Sequence, residues 1–211
     1  MIPRLWLVTP EGIDEATIAR VCDVAASECP HDVLLMARAK AGPSERRRVA
    51  LAVAKACTRA GLLFSVNGDV ELAAETSAPW FHAPGSLSAE GLRGRVEAVV
   101  GKSVYLSRVA HDHDDVVSAA EASLDAVMVS PIFEVPGKGA PRGTSALADA
   151  RRLAPSLGLV ALGGVDASRA ASCLQAGADA VAVMRAVFAA EHPGAVLREL
   201  HFATRVRPSK C

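Results

Sequence analysis

The segment Leu159–Ala190 constrains the fold more than any other part of the sequence. A short apolar run ends at Gly163-Gly164, a helix-like stretch follows, and a second apolar run extends over Ala180–Met184. Two apolar strands joined by a helix are expected to lie parallel in one sheet. The two glycines stand where the first strand ends, and without a Cβ atom they let backbone N–H groups approach a ligand. The segment therefore predicts a strand–helix–strand unit with a phosphate site at its strand ends.

Apolar runs recur along the chain, each followed by a stretch with helical periodicity. About eight such units are expected to close a single (β/α)8 TIM barrel over residues 1–211. An open doubly wound sheet is the alternative, but nothing similar to GxGxxG follows the first run. The predicted strands are Arg4–Val8, Val33–Arg38, Leu62–Val66, Trp80–His82, Ser103–Val109, Ala126–Ser130, Leu159–Leu162 and Ala180–Met184. The predicted helices are Glu15–Ser27, Ser44–Ala60, Asp69–Thr76, Ser88–Val96, Asp114–Ser123, Ser145–Leu153, Ser168–Ala176 and Arg185–Leu200, with Ser44 and Ser88 as N-caps.

Composition excludes several classes of partner. The 211 residues have a formal net charge of zero, with 23 basic and 23 acidic side chains, which argues against binding to nucleic acid or an anionic membrane. The first residues turn polar too soon for a signal peptide, and no apolar run is long enough to span a bilayer. We expect a cytoplasmic protein without a zinc site or disulfide framework, because no CxxC pair occurs among Cys22, Cys29, Cys57, Cys173 and Cys211.

Four motifs in a characteristic order connect the chain to a known family. They are VNGDVELA (66–73), SPIFEVPGKG (130–139), ALGGV (161–165) and AGADAVAVMRAVF (176–188), with weaker support from Arg38-Ala39-Lys40 and from His82. On these motifs the chain resembles the thiamine phosphate synthases and their sister thiazole tautomerases, from Arg4 to about Phe188. The resemblance implies a small barrel enzyme, commonly a homodimer, that acts on small phosphorylated thiamine precursors. His82 is expected to pack near the pocket or to line its rim.

Arg38 and Lys40 end the second predicted strand and point the same way by alternation. A planar guanidinium beside an ammonium is suited to a diphosphate, although solvated charges at an exposed strand end are the alternative. The resemblance implies that this pair holds a pyrimidine diphosphate, so both are candidate catalytic residues. Met36 stands where the family usually has Gln, which removes one substrate hydrogen bond.

The resemblance also implies a magnesium site that this sequence does not complete. Synthases place a metal-binding Asp where Gly68 stands and a second carboxylate where Leu87 stands. Asn67 is retained and is a candidate substrate-binding residue. Asp69 is a weak metal candidate, because helix N-capping is the more ordinary role of an Asp at that position. Tautomerases often carry Asn-Gly here and need no magnesium, so magnesium is a doubtful cofactor.

The loop after the sixth strand departs from both sister groups. A tautomerase would carry an acid/base His where Pro131 stands, and proline has no proton to transfer. Synthases have proline there and hold phosphate with Thr-x-Thr-Lys. In Val135-Pro136-Gly137-Lys138 only the lysine is kept. We expect Lys138 to contact phosphate from this glycine-rich loop.

An HDHDD run, residues 111–115, follows the fifth strand. It could suggest a metal site, but consecutive side chains rarely converge on one ion. Asp114 and Asp115 are better explained as the start of a helix, where carboxylates suit the dipole. His111 is the candidate acid/base, since a histidine titrates near neutral pH.

The predicted phosphate cradle combines two adjacent strand ends, and its residues are Gly163, Gly164, Met184 and Arg185. Related enzymes carry a small hydroxyl residue where Arg185 stands. Three functions remain open. They are a thiamine phosphate synthase, which we favour, an isomerase acting on a thiazole phosphate carboxylate, and a barrel that binds a phosphorylated ligand without turnover.

Overall fold

The computed structural model describes residues 2–205, which form a closed barrel of eight parallel strands in chain order. The barrel closes where the last strand pairs with the first, with Leu5 opposite Val181. The strands are β1 (Leu5–Val8), β2 (Val33–Ala37), β3 (Leu63–Asn67), β4 (Trp80–Ala83), β5 (Tyr105–Ala110), β6 (Ala126–Val129), β7 (Gly158–Leu162) and β8 (Ala180–Val183). The predicted (β/α)8 barrel is confirmed, and the open-sheet alternative is wrong. Cys211 lies outside the described residues.

The helices cover the outside of the barrel. They are α1 (Glu15–Glu28), α2 (Pro43–Ala60), α3 (Val70–Glu75), α4 (Leu92–Val100), α5 (His113–Glu121), α6 (Ser145–Leu153), α7 (Ala167–Gln175), α8 (Arg185–Phe188) and α9 (Pro193–Arg205). The single helix predicted over Arg185–Leu200 is therefore wrong. Residues 189–192 separate α8 from α9, which begins at Pro193, because proline suits a first helical position but disfavours helical geometry in the residue before it. Across residues 2–205, no helix combines the length and apolarity needed to cross a membrane.

The two serine caps predicted from the sequence are also wrong. Helix α2 begins at Pro43 with Gly42 as its N-cap, since the fixed φ of proline suits the first helical position. Helix α4 begins only at Leu92, and the hydroxyl of Ser88 instead accepts a hydrogen bond from the Glu90 N–H within the preceding turn (3.3 Å).

Aromatic side chains fill the amino-terminal end of the barrel. Trp6 and Trp80 are fully buried and meet edge to face, with ring centroids 5.2 Å apart. Tyr105, which is half exposed, stacks on Trp80 with a centroid separation of 4.8 Å. This three-ring floor closes one end, so the open space of the barrel lies at the carboxyl ends of the strands.

Candidate active site

A cavity of about 780 Å³ lies at the carboxyl ends of the strands. It brings together the catalytic and phosphate-binding candidates of the sequence, which are Arg38, Lys40, Asn67, His111, Lys138, Gly163, Gly164, Met184 and Arg185. Met36, His82 and Pro131 also line it. Because these residues come from seven different strands or the loops that follow them, the barrel topology, rather than any local motif, assembles the site.

Arg38 and Lys40 are positioned by contacts with the end of β1. The Arg38 guanidinium forms an ion pair with Glu11 (3.1 Å), and the Lys40 backbone N–H donates to both oxygens of the same carboxylate. The Arg38 backbone N–H donates to the Thr9 hydroxyl (2.8 Å). The Lys40 ammonium has no carboxylate partner within residues 2–205. The loop is thus fixed, while one cation stays available for an anion.

The cavity is lined by both apolar and polar side chains. Met36 and Met128 are buried in its wall, which Asn67 and His82 also line. The Asn67 amide reaches only the Met36 sulfur (3.8 Å), a weak acceptor. A flat heteroaromatic ring with a polar edge matches these walls in chemistry, since thioethers contact ring faces favourably.

His82 is buried beneath the mouth, and its Nδ1 lies 2.9 Å from the Ser107 hydroxyl oxygen. Burial lowers the pKa of His82 to about 4, and the nearby positive charges of Arg38 and Arg108 act in the same direction. The ring is therefore neutral at neutral pH.

The neutral His82 makes the fold sensitive to acid. Its pKa is lowered in the folded state, so stability is fully present above about pH 6.5 and falls as the pH drops toward 4. Between pH 7 and pH 5 the wild-type protein should lose about 2 kcal/mol that His82→Gln does not lose. Urea denaturation of both proteins at the two pH values measures the difference, with the exposed His192→Gln as control. Equal losses in wild type and His82→Gln would contradict the prediction.

His111 is oriented by two hydrogen bonds. Its Nδ1 lies 3.1 Å from the carbonyl oxygen of Ser130. Because a carbonyl can only accept, Nδ1 is the donor of this hydrogen bond. The His111 backbone N–H donates to Asp115 (2.7 Å), which also pairs with the buried Arg108 (3.2 Å). These contacts fix the orientation of His111 at the cavity and leave Nε2 as the ring nitrogen that is not engaged by Ser130.

The HDHDD run has a structural explanation. Asp112 is the N-cap of α5 and accepts from the Asp115 N–H (2.8 Å), while Asp114 and Asp115 lie in the first turn. Among residues 2–205, no group of three His, Cys, Asp or Glu side chains is arranged to hold a metal ion.

The predicted phosphate cradle presents unbonded backbone donors. The N–H groups of Gly163, Gly164, Met184 and Arg185 have no protein acceptor within the described part of the chain. The Arg185 side chain forms no ion pair there either. Unbonded N–H groups beside a free guanidinium form an environment that favours an anion.

Comparison with known proteins agrees with this geometry. The family model described as thiamine monophosphate synthase matches residues 5–187. The chain belongs to the thiamine monophosphate synthase family. The thiamine-phosphate synthase of Chromobacterium violaceum is 34% identical over 215 residues, covering 95% of this chain and 97% of the relative. That of Bacillus velezensis is 33% identical, covering 79% and 73%.

A solved structure shows the shared fold. Thiamine phosphate pyrophosphorylase from Pyrococcus furiosus superposes with a TM-score of 0.78 at 16% identity, covering 96% of this chain and 95% of that one. The family resemblance predicted from the four motifs is thus confirmed.

Gly163 and Gly164 are also required by the close packing of the neighbouring loop. Both have positive φ, +102° at Gly163 and +64° at Gly164. A Cβ atom would lie 2.8 Å from Pro131 at the first position and 2.8 Å from Phe133 at the second. The sequence indicates only the role of these glycines in ligand approach, because their packing against residues 131–134 depends on the fold.

Gly164→Ala should therefore destabilise the protein before any ligand is considered. The left-handed backbone costs about 1–2 kcal/mol and overpacking against Phe133 adds about 1–3 kcal/mol. Gly61→Ala is the matched control, with φ +68° and no neighbour within 4 Å of the added atom. Thermal or urea unfolding should show a clearly larger loss for Gly164→Ala. Equal losses would mean that the 131–134 segment moves aside freely.

The positions at which the resemblance implies magnesium ligands do not supply carboxylates to the cavity. Gly68 and Leu87 offer no oxygen from their side chains, and Asp69 is the N-cap of α3, accepting from the Leu72 N–H (3.0 Å). Asp69 is not among the residues that line the cavity. The capping role preferred for Asp69 is confirmed, and its weak candidacy as a metal ligand stays a prediction without support.

Two further residues belong to this site and were not predicted from the sequence. Glu11 follows β1 and pairs with Arg38, and Arg169 on α7 lines the cavity beside Gly164. Neither lies at the end of a predicted strand. An acidic residue shortly after the first strand, and a basic residue on the helix that follows Gly163-Gly164, are the sequence signals that could have indicated them.

Proposed function

We propose that this protein is a transferase of the thiamine phosphate synthase type that joins a hydroxymethylpyrimidine diphosphate to a thiazole phosphate. The observation that carries the proposal is the pairing of two anion-binding groups in one cavity. Arg38 and Lys40 lie at the end of β2, and Gly164 and Arg185 lie at the β7 and β8 ends. A reaction between a diphosphate and a phosphate ester needs both.

The chemistry proposed for this cavity breaks one bond and forms another. The bond between the pyrimidine methylene carbon and the diphosphate oxygen breaks, and the electron pair leaves with the diphosphate. The thiazole nitrogen then donates its lone pair to the methylene cation, giving a thiazolium without any proton transfer. Arg38 and Lys40 stabilise the leaving diphosphate, where negative charge accumulates.

The side chains that line the deep part of the cavity are suited to the cation formed in this step. His82 is neutral, with a pKa of about 4, so it adds no positive charge beside the developing cation. The buried Met36 and Met128 are apolar and polarizable.

Lys138, on the loop after β6, is the third residue proposed to contact a phosphate group, after Arg38 and Lys40.

The proposal is tested by incubating the purified protein with both substrates and measuring thiamine phosphate by chromatography. Product formation with both substrates, and with neither alone, is the expected result. Binding of the two ligands without product would contradict synthase activity. It would support the non-catalytic alternative, for which a ligand-dependent rise in melting temperature is the readout.

An isomerase is the second candidate, and the orientation of His111 favours it. Its Nδ1 bonds to the carbonyl of Ser130, the residue directly before Pro131. Nε2, which Ser130 does not engage, could thus serve as the base that Pro131 cannot provide. Isomerisation of a thiazole phosphate carboxylate without pyrimidine diphosphate, abolished in His111→Gln, would establish this function instead.

We further infer a cytoplasmic homodimer, on the support of the family resemblance for the dimer and of the scattered cysteines without a CxxC pair for the location. Sedimentation velocity at micromolar concentration tests the oligomeric state. A single monomeric species would contradict the inference.

A further inference from the structure

Arg169 lies at the edge of the phosphate cradle and is held there by two contacts. Its Nη1 donates to the carbonyl oxygen of Gly164 (2.7 Å), and its guanidinium carbon lies 5.0 Å above the centre of the Phe133 ring. Gly164 and Phe133 are themselves packed together. The guanidinium is thus anchored to both loops that border the cradle.

These contacts include no ion pair. The Arg169 side chain lies within 4 Å of no carboxylate oxygen in residues 2–205, although Asp166, the N-cap of α7, and Glu134 line the same cavity. One carbonyl acceptor satisfies one of the five guanidinium N–H groups. The remaining donors are available where Arg169 lines the cavity next to the unbonded N–H groups of Gly163 and Gly164.

The loop after β6 also contacts the phosphate cradle. The Phe133 N–H donates to the Gly163 carbonyl (2.9 Å), and the Ile132 N–H donates to the Leu162 carbonyl (2.9 Å). The start of this loop is therefore joined to the cradle, and Lys138 follows five residues after Phe133. Arg169 lies between the loop that carries Lys138 and the strand end that carries Gly164.

We propose that Arg169 is a phosphate-binding residue that contacts the phosphate monoester of the substrate together with the backbone donors of Gly163, Gly164 and Arg185. The identity of that ester as a thiazole phosphate rests on the proposed function. A guanidinium whose plane is fixed by stacking and by one hydrogen bond can meet two phosphate oxygens without further ordering. Arg169 thereby determines specificity for the phosphorylated form of the ligand over the free alcohol.

Equilibrium binding to Arg169→Gln tests this role without requiring turnover. Calorimetric titrations use three probes: thiazole phosphate, the unphosphorylated thiazole alcohol and inorganic phosphate. Arg169→Gln should bind thiazole phosphate about 10- to 100-fold more weakly, the loss expected for charge-assisted hydrogen bonds, and inorganic phosphate more weakly too. Affinity for the alcohol should stay within about 2-fold, because the alcohol lacks the group that Arg169 contacts.

Two further variants separate charge from position. Arg169→Lys keeps the charge but loses the planar fork, and Phe133→Leu keeps the arginine but removes the ring beneath it. Both should weaken phosphate binding by less than Arg169→Gln, with Phe133→Leu losing about 2- to 5-fold. Arg152→Gln is the matched control, since Arg152 is an exposed arginine on α6 whose charge is paired with Asp149. It should bind all three probes like the parent.

The outcomes distinguish this proposal from the proposed function. Unchanged phosphate affinity in Arg169→Gln, or equal weakening of the phosphate and the alcohol, would overturn the role of Arg169. Failure of the parent protein to bind any phosphate probe would overturn it as well. Weaker phosphate binding in Arg169→Gln, in a protein that forms no thiamine phosphate, would support the role of Arg169 and contradict synthase activity.

Discussion

Arg38→Gln is expected to lower kcat for thiamine phosphate formation by about 100- to 1000-fold, the usual effect of removing one donor from a site where charge develops. Two physical effects combine. The departing diphosphate loses its guanidinium partner, and the carboxylate of Glu11 loses the ion pair that now neutralises it. An unpaired carboxylate beside a developing diphosphate adds repulsion to the lost attraction.

Steady-state kinetics with both substrates measure the effect of Arg38→Gln. Arg59→Gln is the matched control, because Arg59 on α2 pairs with an exposed acid, Asp23, outside the cavity. It should retain kcat. Glu11→Gln should have a smaller effect than Arg38→Gln, since the positive charge remains. A rise in KM with unchanged kcat in Arg38→Gln would mean that Arg38 binds the ground state and the transition state equally, which would contradict a selective role on the leaving group.

Magnesium is expected to alter the turnover of the wild-type protein by less than about 3-fold, whereas Gly68→Asp combined with Leu87→Asp should create a dependence of about 10-fold or more. Neither Gly68 nor Leu87 supplies an oxygen ligand. The two positions belong to adjoining segments, because a Cβ at Gly68 would lie 3.8 Å from Pro84, whose carbonyl accepts from the Leu87 N–H. Carboxylates there would meet the preference of magnesium for oxygen ligands.

The double variant has a structural cost that its control reproduces. Gly68 has φ +77°, which Asp and Asn tolerate better than other side chains, and Leu87 packs partly against the core. Gly68→Asn with Leu87→Asn carries the same backbone strain and lost packing without the charges. Turnover is measured across a magnesium titration and after chelation. Robust wild-type turnover that vanishes on chelation would mean that other groups of this chain hold the metal.

The barrel and its mouth could be predicted from the sequence for one physical reason. Apolar runs such as Ala126–Ser130 and Ala180–Met184 mark strands, and parallel strands place their carboxyl ends on one edge. Residues as distant in sequence as Arg38 and Arg185 were therefore expected at one opening, where they lie. Their roles in binding and catalysis stay predictions.

What could not be predicted depends on contacts between distant segments. The prediction of Ser44 as an N-cap rested on its hydroxyl group alone. Helix α2 instead begins one residue earlier, at Pro43, whose fixed φ suits the first helical turn. The low pKa of His82 arises from burial in the closed barrel. The place of Arg169 follows from its stacking on Phe133, 36 positions earlier in the chain. No local pattern encodes such contacts.

The three-ring floor of Trp6, Trp80 and Tyr105 has a consequence for the order of events in turnover. With the amino-terminal end sealed, both substrates and both products must pass through the single mouth of the barrel. The substrate whose ring occupies the deeper part, against Met36 and His82, therefore has to enter before the other. The fold thus imposes a compulsory order of substrate binding, which product-inhibition patterns would reveal.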